Sequence, residues 1–351
     1  MGESSDAPAR RILHVTQCRG GGVPRAVDML AAVDPDDAHL LLTPEPHAHD
    51  AAVFTEIRPL GDGLDAVRTV RRAVRELRPD VVHAHSSWAG MTARVAGLGV
   101  PVVYQPHAFV FDGQTRRPAV RAGFRAVESV LARRTAAFVV LTPHEQRLAR
   151  SLRARVPAVL VPNRPSVERA ATVAPAGPPV VAMVGRISPQ KDPAFFARVA
   201  RDVTARRPDV SFVWIGDGDP TLSAGLSAAG VRITGWVRGP ALADELSAAT
   251  VYFHSANYEG FPLSVLDAAA LDRPVVARRI DALADSPLHL FDTEAACADA
   301  VLRAVSDPGY RAELQAAGEL LLAGMNSTTM AAALTGLYDT VAPRPLVRTA
   351  P

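Results

Sequence analysis

Short apolar runs alternate with helical segments along the whole chain, and this alternation constrains the fold more than any other feature. The first series opens with RILHV at 11–15, the glycine loop RGGGVP and the helical run RAVDMLAAV, and continues through PDVVHAH, PVVYQP and AAFVVLT. Strand, glycine turn and helix in that order open a βαβ unit. The repeated alternation predicts a parallel sheet covered by helices on both faces.

A stretch rich in proline, alanine and short polar residues, at 161–180, interrupts this pattern. A second series then begins with VVAMV and includes VSFVWIG, TVYFHS and RPVVA. We therefore expect an α/β protein with two doubly wound, Rossmann-like domains facing a central cleft. The expected domains are 1–165 and 179–325, with a linker at 166–178 and a further helix within 326–351. Ligands of such sheets bind beyond the carboxyl ends of the strands.

Composition limits the class of protein. The 351 residues suffice for two domains, and 48% apolar with 21% charged residues is typical of a soluble globular chain. A formal charge of +2 is too small to indicate nucleic-acid binding. Cys18 and Cys297 lack metal-binding spacing, so we expect reduced thiols and no metal site. We see neither a membrane-spanning run nor a secretion signal, and we expect a cytoplasmic protein.

The segment GRISPQKDP, 185–193, follows the apolar run that ends at Val184. Gly185 leaves the strand, and Arg186 and Lys191 then flank a predicted helix start near Asp192. Two cations beside the positive end of a helix suit a diphosphate better than a carboxylate. The alternative is that both are solvated loop cations.

A second segment, SANYEGFPLSVLDAAA at 255–270, also follows a predicted strand. Pro262 suits the first turn of a helix, whose free backbone N–H groups would face an anion. Those groups belong to Phe261, Leu263 and Ser264. Glu259 and Asp267 are eight positions apart, so both carboxylates can face one cleft and accept hydrogen bonds from sugar hydroxyls.

These motifs together resemble the signature of the glycogen-synthase-like retaining glycosyltransferases, family 4, which have the two-domain GT-B architecture. GRISPQKDP and NYEGFPLSVLDAAALDRPVVA carry the resemblance in the second half of the chain. ILHVTQCRGGGVPRAV, PDVVHAHSSWAG, VVYQPHAF and VPNRPS match the first domain and the hinge in order. The resemblance covers nearly all of the chain.

The resemblance implies a role for each matching residue. Arg186 and Lys191 would hold the diphosphate of a nucleotide-sugar donor, supported by the backbone of Gly21 and Gly22. Glu259 would contact the transferred sugar and Asp267 the ribose. His107 of QPHAF would face the sugar. The first domain would bind the acceptor and the second the donor, and the last helix would cross back to the first domain.

Two positions depart from the family pattern. The family usually has Glu where this chain has Asp267, which is one methylene shorter. After PVVA the family commonly continues with a glycine pair and an acid, whereas RRIDALADSP follows here. Both departures concern how the nucleotide is held.

Other polar patterns have simpler interpretations. Asp217 and Asp219 in DGD imitate a metal motif, but we interpret them as a turn between strand and helix. The run GGGVP lacks the full dinucleotide-binding spacing. His83 and His85 are a possible metal pair, but we expect one ring to point inward and one outward along a strand, packing near the site.

An arginine-rich segment, QTRRPAVRAGFRAVESVLARR at 114–134, carries apolar residues at helical spacing. Such a helix suits contact with an anionic membrane and a lipid-linked acceptor. The alternative is an ordinary solvated face.

These patterns lead us to expect a retaining glycosyltransferase that moves a hexose-type unit from a nucleotide diphosphate sugar to an acceptor hydroxyl, without metal or cofactor. The acceptor is a glycan, a glycolipid or a small molecule. Two alternatives stay open: a nucleotide-sugar 2-epimerase of the same architecture, and a non-catalytic subunit that supports a partner transferase.

Overall fold

The structure is a computed structural model that describes residues 10–113, 116–169 and 177–344. Their contacts divide them into two compact units. The first unit comprises 10–111, 118–162 and 327–344, and the second comprises 112–117 and 163–326, apart from the gaps just given. Part of the linker predicted at 166–178, namely 170–176, lies outside the described residues, as do 345–351 of the predicted C-terminal segment.

The first unit contains a seven-stranded sheet in which every neighbouring pair is parallel. Its order is β3-β2-β1-β4-β5-β6-β7. The strands are β1 (Arg11–Thr16), β2 (Ala38–Thr43), β3 (Glu56–Pro59), β4 (Val81–His85), β5 (Val102–Gln105), β6 (Ala137–Val140) and β7 (Ala158–Leu160). The helices between them are α1 (Gly22–Ala32), α2 (Gly63–Leu77), α3 (Ser86–Val95), α4 (Pro118–Leu131) and α5 (Pro143–Leu152).

The two faces of this sheet differ in polarity. One face packs Leu13, Val15 and Val82 against apolar residues of α2 and α3 in a continuous core. The alternate residues of β1 and β4, His14 and His83, are paired in register and lie on the opposite face, fully buried. That face therefore carries buried polar groups, each of which needs a hydrogen-bond partner.

The second unit contains a six-stranded parallel sheet in the order β10-β9-β8-β11-β12-β13. Its strands are β8 (Val180–Val184), β9 (Ser211–Ile215), β10 (Arg232–Ile233), β11 (Val251–His254), β12 (Val275–Arg278) and β13 (Leu290–Phe291). Its helices are α6 (Pro193–Arg206), α7 (Pro220–Ser227), α8 (Pro240–Ser247), α9 (Leu263–Ala270), α10 (Glu294–Ser306) and α11 (Pro308–Gly324). Asp-Pro pairs start α6, α7 and α11, where the Asp side chain caps the helix and proline occupies its first turn.

The last helix, α12 (Ser327–Val341), belongs to the first unit. The hydroxyl of Tyr338 lies 2.8 Å from Nδ1 of His83, and Asp339 accepts a hydrogen bond of 2.8 Å from Arg10. The segment 308–341 is long and apolar enough to span a membrane by composition alone. It is, however, broken between α11 and α12, and each helix buries one apolar face in the protein.

The predicted fold class, two parallel-sheet α/β domains, is confirmed. In each sheet the strand order reverses once, between β1 and β4 in the first and between β8 and β11 in the second. Open parallel sheets bind ligands at this point, beyond the carboxyl ends of the strands.

Candidate active site

The loops after β8 and β11 leave neighbouring strands at the point where the order of the second sheet reverses. The first loop spans 185–191 and the second 255–259. The Ser255 hydroxyl donates a hydrogen bond of 2.8 Å to the Lys191 carbonyl, which ties the loops together. Two segments that are far apart in the sequence thereby form one surface.

An ion pair joins the two loops. Nζ of Lys191 lies 2.5 Å from Oε1 of Glu259, and the side chains are only 15% and 10% exposed. The Gln190 amide donates to Oε2 of the same carboxylate over 3.2 Å. Both oxygens of Glu259 thus have a fixed partner, and the carboxylate has a defined orientation.

Gly185 allows the side chain of Lys191 to fold back over the end of the strand. Its φ is 152°, and a Cβ added there would lie 2.9 Å from Cε of Lys191. Gly216, with φ 145°, packs against it so closely that a Cβ would lie 2.1 Å from the Gly185 carbonyl oxygen. Both positions need glycine because a side chain would be strained and would displace its neighbour.

Helix α6 begins directly after Lys191. Its N-cap is Asp192, whose Oδ1 accepts a hydrogen bond of 3.1 Å from the Phe195 N–H. Oδ2 of Asp192 pairs with Arg278 at 2.7 Å, and the Arg278 guanidinium lies 4.3 Å from the centroid of the Phe195 ring. Arg278 is the first residue of the segment that departs from the family pattern, so this segment supports the start of α6.

Arg186 differs from Lys191 in its surroundings. It is exposed and makes no hydrogen bond or ion pair with residues that the structure describes. Its guanidinium can therefore bind an anion without breaking a contact to the described residues.

The start of α9 lies next in the chain. The helix begins at Leu263 with Pro262 as its N-cap, and no side chain among the described residues caps it. Phe261, Pro262 and Leu263 are buried, as is the whole helix. The uncapped N–H groups of this first turn still need an acceptor.

Asp267 is fully buried in α9 and already has a partner. Its carboxylate accepts hydrogen bonds from Ser166, at 2.6 Å from the backbone nitrogen and at 2.9 and 3.0 Å from the hydroxyl. Ser166 lies in the segment predicted as the linker. Asp267 therefore holds that segment against α9, and a ribose would have to share or displace this contact.

A buried polar row near Glu259 was not predicted from the sequence. Nε2 of His254, at the end of β11, is 3.9 Å from Glu259 Oε1, and its Nδ1 is 3.1 Å from the Tyr252 hydroxyl. That hydroxyl in turn is 2.7 Å from Ser264 Oγ. Burial, with Lys191 nearby, lowers the pKa of His254 well below its usual value, so the ring is neutral. Polar residues in the otherwise apolar run TVYFHS were the available signal.

Three predicted residues, Gly21, Gly22 and His107, belong to the first unit. Gly21 and Gly22 are exposed, and Gly21, with φ 85°, is the N-cap of α1. The same loop contacts the start of α3, since Cys18 Sγ lies 3.3 Å from Ser86 Oγ. These residues follow β1 and β4, on either side of the reversal point of the first sheet.

His107 lies in a strained turn after β5. Its φ is 53° and that of Ala108 is 92°, values that residues other than glycine rarely adopt. The Glu145 carboxylate holds the turn by accepting hydrogen bonds of 2.8 Å from the N–H groups of Ala108 and Leu141. Strain retained in this way is typical of functional sites.

The expectation that His83 and His85 point to opposite faces was wrong. Residues two apart on a strand share a face, and their ring centroids are 4.2 Å apart, both buried. Nδ1 of His85 lies 3.2 Å from Nε2 of His107. Asp219 caps α7 by accepting from the N–H groups of Thr221 and Leu222, which fits its interpretation as a turn residue.

Comparison with known proteins agrees with this architecture. Residues 9–164 match the profile of the glycosyl transferase 4-like domain, and residues 178–307 match that of glycosyl transferases group 1. Sucrose-phosphate synthase from Thermosynechococcus elongatus has a TM-score of 0.77 at 19% identity, covering 94% of this chain and 98% of the other. HepE of Anabaena, solved with UDP and glucose, has a TM-score of 0.76 at 17% identity, covering 94% and 100%.

Two curated relatives match over part of their length. A UDP-Gal:alpha-D-GlcNAc-diphosphoundecaprenol alpha-1,3-galactosyltransferase of Escherichia coli is 27% identical over 60% of this chain and 60% of its own length. A GDP-mannose-dependent alpha-mannosyltransferase of Mycolicibacterium smegmatis is 30% identical over 66% and 64%. The matched region thus spans less than two thirds of either relative. The structural neighbours confirm the expected GT-B fold, and with both profiles matched in order the chain belongs to the glycosyltransferases that join a 4-like domain to a group 1 domain.

Proposed function

We propose that the protein is a retaining glycosyltransferase that moves a sugar from a nucleotide diphosphate sugar to an acceptor hydroxyl. The observation that carries the proposal is the Lys191–Glu259 pair at the reversal point of the second sheet, with Arg186, which has no partner among the described residues, in the same loop as Lys191. One carboxylate of fixed orientation and two cations suit a sugar joined to a diphosphate.

Arg186 and Lys191 act where charge develops. As the bond between the anomeric carbon and the diphosphate breaks, its electron pair moves to the leaving phosphate oxygen. Cations at that position stabilise the transition state more than the ground state, which is the origin of the rate enhancement. Uncapped N–H groups at the start of α9 are further donors to the diphosphate.

Glu259 positions the transferred sugar by accepting hydrogen bonds from its hydroxyls. The resemblance to retaining family members supports attack by the acceptor on the face that the diphosphate leaves, with the acceptor proton passing to the leaving phosphate oxygen. The names of the relatives specify alpha products, which is what retention gives from an alpha-linked donor.

Asp267 binds the ribose of the donor in this proposal and exchanges its contact with Ser166 as the nucleotide enters. Gly21, Gly22 and His107 bind from the first unit, with the two glycine backbones at the diphosphate and His107 at the sugar. The reaction needs no metal or cofactor, so turnover is expected to persist in a chelator.

A lipid-linked acceptor fits the surface of α4. Val120, Val127 and Val130 are 47%, 48% and 61% exposed on this helix, and Arg117 and Arg133 flank them. Exposed apolar residues with flanking arginines suit the surface of an anionic membrane. The relative from Escherichia coli is named for a diphosphoundecaprenol acceptor, which supports this choice. We place the protein in the cytoplasm, at the inner face of the membrane.

The first test is a thermal-shift screen of UDP, GDP, ADP and TDP and their sugars, since a ligand of the folded state raises the melting temperature. The sugar nucleotide that stabilises most is then incubated with and without lipid-linked or glycan acceptors. Product that appears only with acceptor and keeps the anomeric configuration supports the proposal. A new sugar nucleotide formed from donor alone would identify an epimerase instead.

A further inference from the structure

A row of imidazoles crosses the polar face of the first sheet. It starts at the carbonyl oxygen of Asp34, which lies 2.8 Å from Nε2 of His39. Nδ1 of His39 is 2.9 Å from Nε2 of His14, and Nδ1 of His14 is 2.9 Å from Nε2 of His85. Nδ1 of His85 is 3.2 Å from Nε2 of His107, which ends the row.

The carbonyl at one end sets the direction of every hydrogen bond in the row. A carbonyl oxygen only accepts, so Nε2 of His39 carries a proton. A neutral imidazole has one N–H, which leaves Nδ1 of His39 as an acceptor and requires N–H at Nε2 of His14. The same step at His14 requires N–H at Nε2 of His85. At His85 it leaves Nδ1 as the acceptor of a hydrogen bond from Nε2–H of His107.

The rings are neutral because a charge among them would lack compensation. His14, His39 and His85 are buried. Burial is the main cause that lowers the pKa of each, and it lowers the pKa of His107 to about 3.

We infer that the Asp34 carbonyl, acting through His39, His14 and His85, fixes His107 as its Nε2–H tautomer. His107 then presents the lone pair of Nδ1, which makes no hydrogen bond with the described residues, to a substrate. Resting on the proposed function, this identifies the group that His107 binds as a hydroxyl of the donor sugar or the acceptor, because a lone pair accepts from O–H and repels a phosphate oxygen. His39, His14 and His85 are positioning residues.

The turn that carries His107 supports this role. The positive φ angles of His107 and Ala108, held by Glu145, fix the backbone, and the bond to His85 fixes the ring. Position, orientation and protonation of one side chain are thus all determined by the protein before a substrate binds.

A metal site is the competing interpretation of the same residues. Ligand nitrogens of His14, His83 and His85 lie within 4.8 Å of one another, and Nε2 of His83 has no hydrogen-bond partner among the described residues. This group holds no carboxylate, so a divalent ion would bring uncompensated charge into a buried place. Both ring nitrogens of His14 and both of His85 are already used in the hydrogen bonds of the row.

The direct test is nitrogen-15 NMR of the imidazoles in the full-length protein without substrate. We expect His39, His14, His85 and His107 all to show the Nε2–H neutral form at pH 7.5. An Nδ1–H form or an imidazolium at His107 would overturn the inference. Zn²⁺ added alone that produces metal-bound nitrogen signals at His14 and His85 would overturn it equally.

His39→Gln tests the coupling at a distance, because a glutamine amide can turn either its oxygen or its nitrogen towards His14 and so removes the fixed direction. We expect His107 to become a mixture of tautomers. The kcat/KM of the variant should then fall in proportion to the fraction of His107 left as Nε2–H. A tautomer of His107 that stays unchanged would rule out the relay.

His49→Gln is the matched control. His49 is another buried histidine of the same unit, bonded to Asp28 and Thr43 and not to the row. Its loss should leave the signals of His107 unchanged. Since the spectra need no substrate, an Nε2–H form at His107 in a protein without transferase activity would count against the proposed function alone. Activity with the Nδ1–H form at His107 would count against the relay alone.

Discussion

Lys191 and Glu259 form an ion pair of 2.5 Å between two loops of the second sheet, almost shielded from water. Under the proposed function, the cation that would bind the diphosphate is thus paired with the carboxylate that would bind the sugar. The pair keeps both charges compensated. It also means that removing either partner leaves the other buried without compensation, which costs about 3–5 kcal/mol in comparable pairs.

Variants of this pair can therefore separate an effect on stability from an effect on catalysis. Lys191→Met should lower both the melting temperature and turnover, the latter by about 10²-fold or more, because the leaving oxygen loses a charged partner. The double variant Lys191→Met with Glu259→Gln should regain most of the melting temperature, since no charge is left unpaired, and still be inactive. Thermal unfolding and initial rates measure the two effects, and a double variant that regains turnover would refute the catalytic role.

Arg186→Gln should leave thermal stability unchanged, because Arg186 is exposed and has no partner among the described residues. The affinity for the nucleoside diphosphate should fall about 10-fold or more, as expected for the loss of hydrogen bonds from a charged donor. Isothermal titration with the diphosphate found in the screen measures this. Arg201→Gln, an exposed arginine further along α6, is the control and should bind as the parent does.

Gly185→Ala should impair catalysis without removing a charged group. The added methyl would lie 2.9 Å from Cε of Lys191 at a backbone φ of 152°, so the lysine has to leave its place over the strand end. We expect turnover to fall towards that of the Lys191 variant, about 10²-fold, with a lower melting temperature from backbone strain. Gly225→Ala in α7, where a methyl meets no atom within 4 Å, should be as active as the parent and no less stable. Equal rates in both variants would contradict the close packing at Gly185.

Much of the fold was accessible from the sequence because apolar periodicity and glycine turns are local signals. The placement of the motifs at 185–193 and 255–270 also followed, since loops at the carboxyl ends of parallel strands converge. The ion pair between Lys191 and Glu259 could not be predicted from the sequence. The bond between Lys191 and Glu259 depends on the backbone angle of Gly185, which no pattern of residue types reveals.

The histidines show the limit most clearly. His14 and His39 each lie in an apolar run, and no motif of the sequence links them to the other histidines, whereas the strand register sets His14 beside His83. Ser166 lay within a predicted linker, and its bond to Asp267 joins residues that are 101 positions apart. Contacts at such separations come from the tertiary structure, so sequence periodicity carries no signal for them.

Asp267 offers a test of the ribose. If its carboxylate accepts from a ribose hydroxyl, the parent should bind the nucleoside diphosphate about 10-fold more tightly than its 2′-deoxy or 3′-deoxy analogue, whichever lacks that hydroxyl. In Asp267→Asn this preference should shrink, and in Asp267→Glu, which restores the family residue, it should persist. Ser166→Ala serves as the control, because it removes the hydroxyl contacts to the carboxylate but keeps the carboxylate and the hydrogen bond from the backbone N–H. A preference that is the same in parent and Asp267→Asn would show that Asp267 serves only to hold Ser166.

The buried imidazoles make the stability of the first unit depend on pH. Burial lowers the pKa of His83 to about 3 and that of His14 and His85 well below the usual 6.5. Below pH 6.5 the unfolded chain therefore binds protons that the folded chain does not, and stability falls as the pH falls until the folded pKa is reached. Burial and the neighbouring Asp37 raise the pKa of Asp34 to about 6. The folded chain therefore binds one proton at Asp34 that the unfolded chain does not, which opposes the loss of stability caused by the histidines.

Each buried histidine should cost about 1.4 kcal/mol of unfolding free energy between pH 7.5 and 5.5. His83→Gln isolates one of them, because His83 is fully buried beside Tyr338 and the other titrating groups are common to both chains. Urea unfolding at the two pH values, followed by circular dichroism, should show the variant losing about 1.4 kcal/mol less than the parent, even though it starts from a lower stability. Equal losses in the two proteins would mean that His83 is already protonated in the folded state. That result would contradict the prediction, because the burial of His83 favours the neutral ring.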